Sequence, residues 1–419
     1  MGRKANIGKG KEILEGPGVD IKHASLLDSL FDEVQKDFAN LERAADETVD
    51  LWCPTGNAAF DLVLSDMVSG GGWPFGRIVE LYGNASSGKT MLALFALMNT
   101  VHRLGGVAII LDVEKGFVPS FYEKLGGDPR YLWVESPNYI SDCYETGIKV
   151  IQKVRAKHPD IPITVVYDSI PAALTKKEFE EALDKSDPMG RARDHRKGLS
   201  KVMTAIKRTK TLFIGINQLV STMATFGPDQ DTVGGTGPKY WSSVRVNLKK
   251  GKKIYLKGDG KVGEWSKDSR QRLVGTGGKL QVEKTRFTAP FRQIGFDIFY
   301  DSGIHPYSGW FEALRDHAPG KFFKEALTQK GTIKSGYFVP NGCDQKDTGA
   351  QFTSNTFMGV LAEHPEMRGI YPYDVDFGLP KPEELEEVEV DERTGKEITV
   401  DSEDDSGTFS NDPSDASEV

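Results

Sequence analysis

Apolar residues recur along this chain in two rhythms. Over 25–43, Leu27, Leu30, Phe31, Val34, Phe38 and Leu41 return at intervals of three and four, which predicts an amphipathic helix. A polar segment over 44–50 follows it. Such a helix ordinarily packs on its own domain, but one set apart by a polar segment can instead dock on a neighbouring copy. From about 51 to 300 the rhythm changes, and short apolar runs alternate with helical patterns. The runs at 77–82, 107–112, 163–168 and 211–218 read as strands, and 91–98 reads as helix. The last three strands each end in a polar residue, where a parallel sheet opens onto its ligand. Residues 244–256 and 280–300 read as further strands with hairpin-type connections. The Gly/Lys/Ser-rich stretch between them, 257–279, reads as an exposed loop or ribbon. Residues 302–373 form a smaller mixed segment with aromatic anchors and helix signals near 308–328 and 350–364. There is no internal repeat. The fold class expected is α/β, with a mostly parallel central sheet flanked by helices.

Composition sharpens this outline. A chain of 419 residues has room for two or three domains and a sizeable core. The net charge of −8 is unevenly spread, because residues 381–419 hold fifteen acidic and three basic residues. That tail alone is −12, which leaves +4 for the rest. So acidic a segment, nearly free of large apolar residues, is expected to stay disordered, as a solubilising tail or as a mobile polyanion competing with nucleic acid for a basic surface. No apolar run reaches the length of a membrane span, and the basic N-terminus lacks the apolar stretch of a signal peptide. Three cysteines, Cys53, Cys143 and Cys343, lie far apart. They argue against a disulfide framework or a zinc site and fit a cytoplasmic protein.

Chemistry concentrates at the strand ends. Gly83, Asn84, Ala85, Ser86, Ser87, Gly88, Lys89 and Thr90 spell a complete phosphate-binding loop between a predicted strand and a predicted helix. Its glycines let backbone N–H groups turn inward around a phosphate at a helix N-terminus. Lys89 can reach the β/γ-phosphates of ATP, and the Thr90 hydroxyl can ligate Mg²⁺. Asp168, closing an apolar strand, is placed to hold the same Mg²⁺. Asp112 and Glu114 follow another strand, and a carboxylate there can activate a water for attack on the γ-phosphate. Gln218 ends a strand fifty residues beyond Asp168 and can sense the γ-phosphate. Two polar stretches emerge from the same side. One runs over 176–197, with Met189, Gly190, Arg191, Arg193, Arg196 and Lys197. The other runs over 219–237, with Met223, Phe226, Gly234 and Gly235. Two loops at one sheet edge, one of them basic, suggest a nucleic-acid channel.

Taken in order, these stretches resemble the RecA family of recombinases over roughly residues 25–370. The resemblance rests on 76–90, on Asp112 to Glu114, on 167–174, and on Met189 with Gly190. It rests further on 216–218, on Gly234 and Gly235 with Lys239 and Tyr240, and on 284–291. It implies a RecA-like P-loop NTPase core over 51–301, preceded by a flexible N-terminus and filament-contact helix over 1–50. A small α+β C-terminal domain over 302–373 and an acidic disordered tail over 374–419 would follow. It assigns catalysis to Glu114, Lys89 and Gln218, and to Lys284 and Arg286 acting across a subunit boundary. Phe121 takes the place of an adenine-stacking Tyr, keeping the stack and losing the hydroxyl. Val118 takes that of a polar adenine contact, and Arg286 that of a second Lys. The basic positions of the first loop are out of register with the family's, which marks a divergent member.

The resemblance implies an ATP-dependent recombinase that forms filaments on single-stranded DNA and pairs it with homologous duplex DNA. Its DNA-binding residues would be Met189, Gly190, Arg191, Arg193, Arg196, Met223, Phe226, Gly234, Gly235 and Arg245. Single-strand-binding or mediator proteins are further expected partners. The same motifs leave open a ring-forming helicase or translocase, and an ATP-gated DNA-binding regulator that hydrolyses little.

Overall fold

The computed structural model describes residues 24–38, 48–67, 70–181, 187–221, 230–257, 262–263, 271–364, 367, 389–390 and 397–398. The chain divides into two units, Met1–Asp50 and Leu51–Val419. In the first, the three-and-four rhythm forms helix α1 (Ala24–Asp37); Leu41 lies outside the described residues.

The second unit begins with β1 (Trp52–Cys53), α2 (Ala58–Ser65), β2 (Trp73–Pro74), β3 (Ile78–Gly83) and α3 (Lys89–His102). Then come β4 (Val107–Asp112), α4 (Pro119–Lys124), β5 (Leu132–Glu135), α5 (Ile140–Arg155), β6 (Ile163–Asp168), α6 (Lys176–Glu180) and α7 (Pro188–Ile206). They are followed by β7 (Thr211–Ser221), β8 (Gln230–Thr232), α8 (Thr236–Trp241), β9 (Val244–Lys257), β10 (Val262–Gly263), β11 (Gln271–Lys284), β12 (Gln293–Phe299) and β13 (Gly303–Ile304). The described part closes with α9 (Trp310–His317), β14 (Phe323–Leu327), β15 (Ile333–Pro340) and α10 (Phe357–Glu363), and a two-residue pair at 389–390 and 397–398.

One large sheet organises this unit, in the order β13-β12-β11-β9-β3-β7-β6-β4-β5. The run from β9 to β5 is parallel, and β11, β12 and β13 continue it antiparallel. The parallel strands read as continuous apolar runs because both faces are covered. On one face Val79, Leu81, Ile110, Ile214 and Ile216 pack with α2, α3 and α9. On the other, Ile78, Ile109, Leu111, Val165, Tyr167 and Phe213 meet α5 and α7. Helix ends follow their caps: the Asn57 side chain takes the Phe60 N–H at 2.9 Å, and Asp187 takes that of Gly190 at 2.7 Å.

Two expectations change here. Residues 271–279 are not an exposed loop but the first half of β11, paired with β9 and, from Gly275 on, with β12 as well. Glycines are required there by close approach, not by flexibility: a Cβ on Gly275 would stand 2.3 Å from the Ile298 carbonyl oxygen, and one on Gly278 2.5 Å from the Phe296 ring. The helix signal over 308–328 ends at His317, and Phe323 instead opens a strand within a cluster of Phe311, Phe338, Phe352 and Phe357. The tail over 374–419 lies outside the described residues apart from the short pair above. No helix among the described residues is long and apolar enough to cross a membrane.

Candidate functional site

The loop 83–90 joins β3 to α3 at the carboxyl edge of the parallel strands. Gly83 (φ 152°) and Gly88 (φ 92°) both have backbones unsuited to a side chain. A Cβ on Gly83 would stand 2.1 Å from the Leu248 carbonyl oxygen, and one on Gly88 2.4 Å from Ile298 Cδ1. The Lys89 ammonium is folded back onto the loop, donating to the carbonyls of Gly83 (3.1 Å) and Asn84 (2.7 Å). Those oxygens occupy donor capacity that a phosphate would take. Burial lowers the pKa of Lys89, while Asp168 and Glu114 oppose that shift. Ser87 Oγ is buried without a hydrogen-bond partner, an orphaned donor inside the loop.

Neighbouring strands bring the other groups to this edge. Thr90 Oγ1 donates to Asp168 Oδ2 at 2.9 Å, and burial pushes the Asp168 carboxyl up to about 6, with Glu114 and Asp112 adding to the rise. A hydroxyl beside a carboxylate short of positive charge fits Mg²⁺, which prefers hard oxygen donors. Asp112 and Glu114 separate cleanly. Asp112 accepts from the N–H groups of Gly116 (3.2 Å) and Phe117 (2.9 Å) and so shapes the turn after β4. Glu114 is exposed; its Oε1 accepts from the Ser169 hydroxyl and faces Gln218 Nε2 at 3.5 Å. Lys89, Thr90, Asp168, Glu114 and Gln218 are thus brought together. Val118 and Phe121 stand exposed just beyond the Asp112 turn.

The first-loop residues flank the start of α7. Met189 is 85% exposed, and Arg193 and Arg196 also face solvent. Arg191 does not: its Nε bonds both oxygens of Glu178 at 2.9 Å, which draws that carboxyl down to about 2 despite its burial. Gly190 is buried against the Asp187 cap. The second-loop stretch begins within β7 directly after Gln218, and its stem is a short ladder pairing Leu219 with Thr232 and Ser221 with Gln230. Met223 and Phe226 lie outside the described residues. Gly234 and Gly235 lead into α8.

Arg245 requires a correction. It is 7% exposed, with Nε 2.5 Å from Glu80 Oε2 and a second nitrogen 2.6 Å from Glu283 Oε2. Its guanidinium is taken up by buried Glu80 and half-exposed Glu283 and is not presented to solvent as the DNA-contact expectation requires. Lys284 reaches the carbonyls of Lys239 (2.8 Å) and Tyr240 (3.3 Å), away from the phosphate loop of its own chain. Burial, then Arg286 and Arg245, lowers its pKa; Arg286 itself is exposed.

The sequence reading missed a basic ribbon. The last pair between β3 and β9 is Gly83 with Leu248, so β9 runs on past the phosphate loop, carrying exposed Lys249, Lys250, Lys252 and Lys253. Lys249 lies directly across from Lys279 on β11. Like charges opposite one another destabilise a sheet, a cost that a bound polyanion would relieve. The run Lys-Lys-Gly-Lys-Lys was the available signal, obscured because it sits within a strand pattern.

The sequence model of the RecA N-terminal domain matches residues 27–305. Protein RecA of Porphyromonas gingivalis is 33% identical over 252 residues, covering 60% of this chain and 67% of that protein. Protein RecA of Gloeothece citriformis is 31% identical over 345 residues, covering 81% of this chain and 88% of its own. The chain belongs to the RecA family.

Proposed function

We propose that this protein is an ATP-dependent DNA recombinase that assembles as filaments on single-stranded DNA and promotes pairing and strand exchange with homologous duplex. The carrying observation is that the γ-phosphate sensor Gln218 and the stem of the second loop are one continuous strand, β7, with Glu114 and Asp168 beside it. Lys89 and the loop amides hold the β/γ-phosphates, with the Lys89 ammonium exchanging its present carbonyl partners for phosphate oxygens. Thr90 and Asp168 would hold Mg²⁺, which would neutralise phosphate charge when bound. Glu114, oriented by Ser169 and Gln218, positions the attacking water and takes its proton. Gln218 reports the γ-phosphate to the loop that follows. Lys284 and Arg286 serve a neighbour's nucleotide, so that both walls of the site exist only between protomers and nucleotide and DNA binding become coupled. Exposed Arg193, Arg196 and the ribbon lysines supply phosphate contacts for DNA.

The test is ATP turnover with and without single-stranded DNA, with the same samples imaged by negative stain. DNA-stimulated turnover on open helical filaments is the expected result, abolished in Lys89→Ala. Closed rings, or turnover indifferent to DNA, would replace this reading with a ring motor or a nucleotide-gated regulator.

A further inference from the structure

Strand β3 contains a residue its pattern should exclude. Ile78 points into the apolar layer against α5 and α7, and alternation sends Glu80 to the same face; Glu80 is 1% exposed. A carboxylate buried this deeply persists only when its oxygens are satisfied. Oε2 is paired with Arg245, its direct neighbour on β9, at 2.5 Å. Oε1 accepts from Asn217 Nδ2 at 2.8 Å.

Each partner leads to a functional segment. Asn217 immediately precedes Gln218, and its Nδ2 also donates to the Val233 carbonyl at 2.8 Å. Its Oδ1 accepts the N–H groups of Gln218 (2.9 Å) and Val233 (3.2 Å). One side chain therefore clamps the sensor to the far end of the second loop. Arg245 continues to Thr232 Oγ1 (3.4 Å), on the stem of that loop, and to Glu283. Glu283 accepts from the Tyr82 hydroxyl at 2.5 Å, one residue before the phosphate loop, and precedes Lys284. The Tyr82 ring lies under the Arg245 guanidinium at 4.8 Å. Phosphate loop, sensor, second-loop stem and basic pair thus converge on a single buried carboxylate.

We propose that Glu80, acting through Asn217 and Arg245, is a positioning residue that couples the nucleotide state at Gln218 to the DNA-binding loop. It touches no reacting atom. A shift of Gln218 toward a γ-phosphate pulls on Asn217, whose hydrogen bonds then move Val233 and Thr232 in step. This inference rests on the recombinase reading above and names the coupling element within it.

The experiment measures one ratio: the affinity for a fluorescent oligo(dT) strand with ATPγS and Mg²⁺, divided by that without nucleotide. Glu80→Gln keeps the shape and the acceptor for Asn217 but removes the charge that holds Arg245. Asn217→Ser removes the clamp. Glu283→Gln perturbs only the half-exposed outer arm and serves if Glu80→Gln does not fold. The ratio is expected to fall about tenfold, within the usual range of coupling between sites, while affinity for a fluorescent ATP analogue stays within about twofold. Unchanged ratios in folded variants would overturn the inference. So would a parallel loss of nucleotide affinity and melting temperature, which marks a merely structural ion pair. A wild-type ratio of one refutes the recombinase reading and this inference together; a high wild-type ratio retained by the variants refutes this inference alone.

Discussion

Asp61 makes the stability of the core depend on pH. It lies on α2, 3% exposed, with Oδ1 accepting the Thr55 N–H at 2.8 Å and Oδ2 meeting no partner. Burial pushes its carboxyl from 3.8 up to about 8, against the opposing pull of the Thr55 hydrogen bonds and of Arg103. Because the folded value is the higher one, the folded chain keeps a proton that the unfolded chain releases. The stability this represents is fully present below about pH 3.8 and is lost as pH rises through 8. At about 1.4 kcal/mol per unit, the whole span is worth at most about 6 kcal/mol, and the interval from pH 5 to 8 about 4 kcal/mol. Asp61→Asn imitates the protonated form at every pH. Any fixed penalty from its amide shifts the whole curve without changing the slope. At roughly 2 °C per kcal/mol for a domain of this size, the melting temperature of Asp61→Asn relative to wild type should climb by about 5–8 °C between pH 5 and 8, followed by circular dichroism. A difference that stays constant across that range would refute the argument, since it would mean that Asp61 does not hold its proton.

Three further outcomes follow from the geometry. Glu114→Gln retains an oxygen to accept from Ser169 but has no charge to take a proton. Turnover should therefore drop about 10²–10⁴-fold with nucleotide affinity nearly unchanged, read by a coupled ATPase assay beside equilibrium binding; undiminished turnover would remove Glu114 from the chemistry. Gly275→Ala forces a Cβ to within 2.3 Å of the Ile298 carbonyl, and denaturant melts should show a loss of about 1–3 kcal/mol, whereas a wild-type midpoint would mean that β11 and β12 lie farther apart. Replacing Lys249, Lys250, Lys252 and Lys253 by Ala should weaken binding to any single strand and flatten its dependence on log salt by about 0.7 per lost contact. An unaltered salt slope would show that the ribbon does not touch the phosphate backbone.

What the sequence disclosed and what it hid divide along a physical line. The phosphate loop, Asp168, Glu114 and Gln218 were legible because each is tied to a strand end, and a strand end is fixed by local hydrophobic pattern. The parallel sheet was legible for the same reason. Arg245 was misread because an arginine's partners come from strands distant in sequence: Glu80 precedes it by 165 residues and Glu283 follows it by 38. No local pattern distinguishes an arginine that faces DNA from one that pairs with carboxylates on neighbouring strands. Arg191 likewise meets a partner that no local pattern announces, Glu178, 13 residues earlier. Gly275 and Gly278 fell in a stretch read as an exposed loop or ribbon because glycine is rare in strands, yet here β12 comes so close that a Cβ at either position would clash. Glu80 was the exception that could have been seen. An acidic residue between Val79 and Leu81, in a strand otherwise wholly apolar up to Tyr82, violates the local rule with no local compensation. Natural sequences break such rules chiefly where function requires it. The departure from pattern in β3 is thus a local signal that Glu80 has partners elsewhere in the chain.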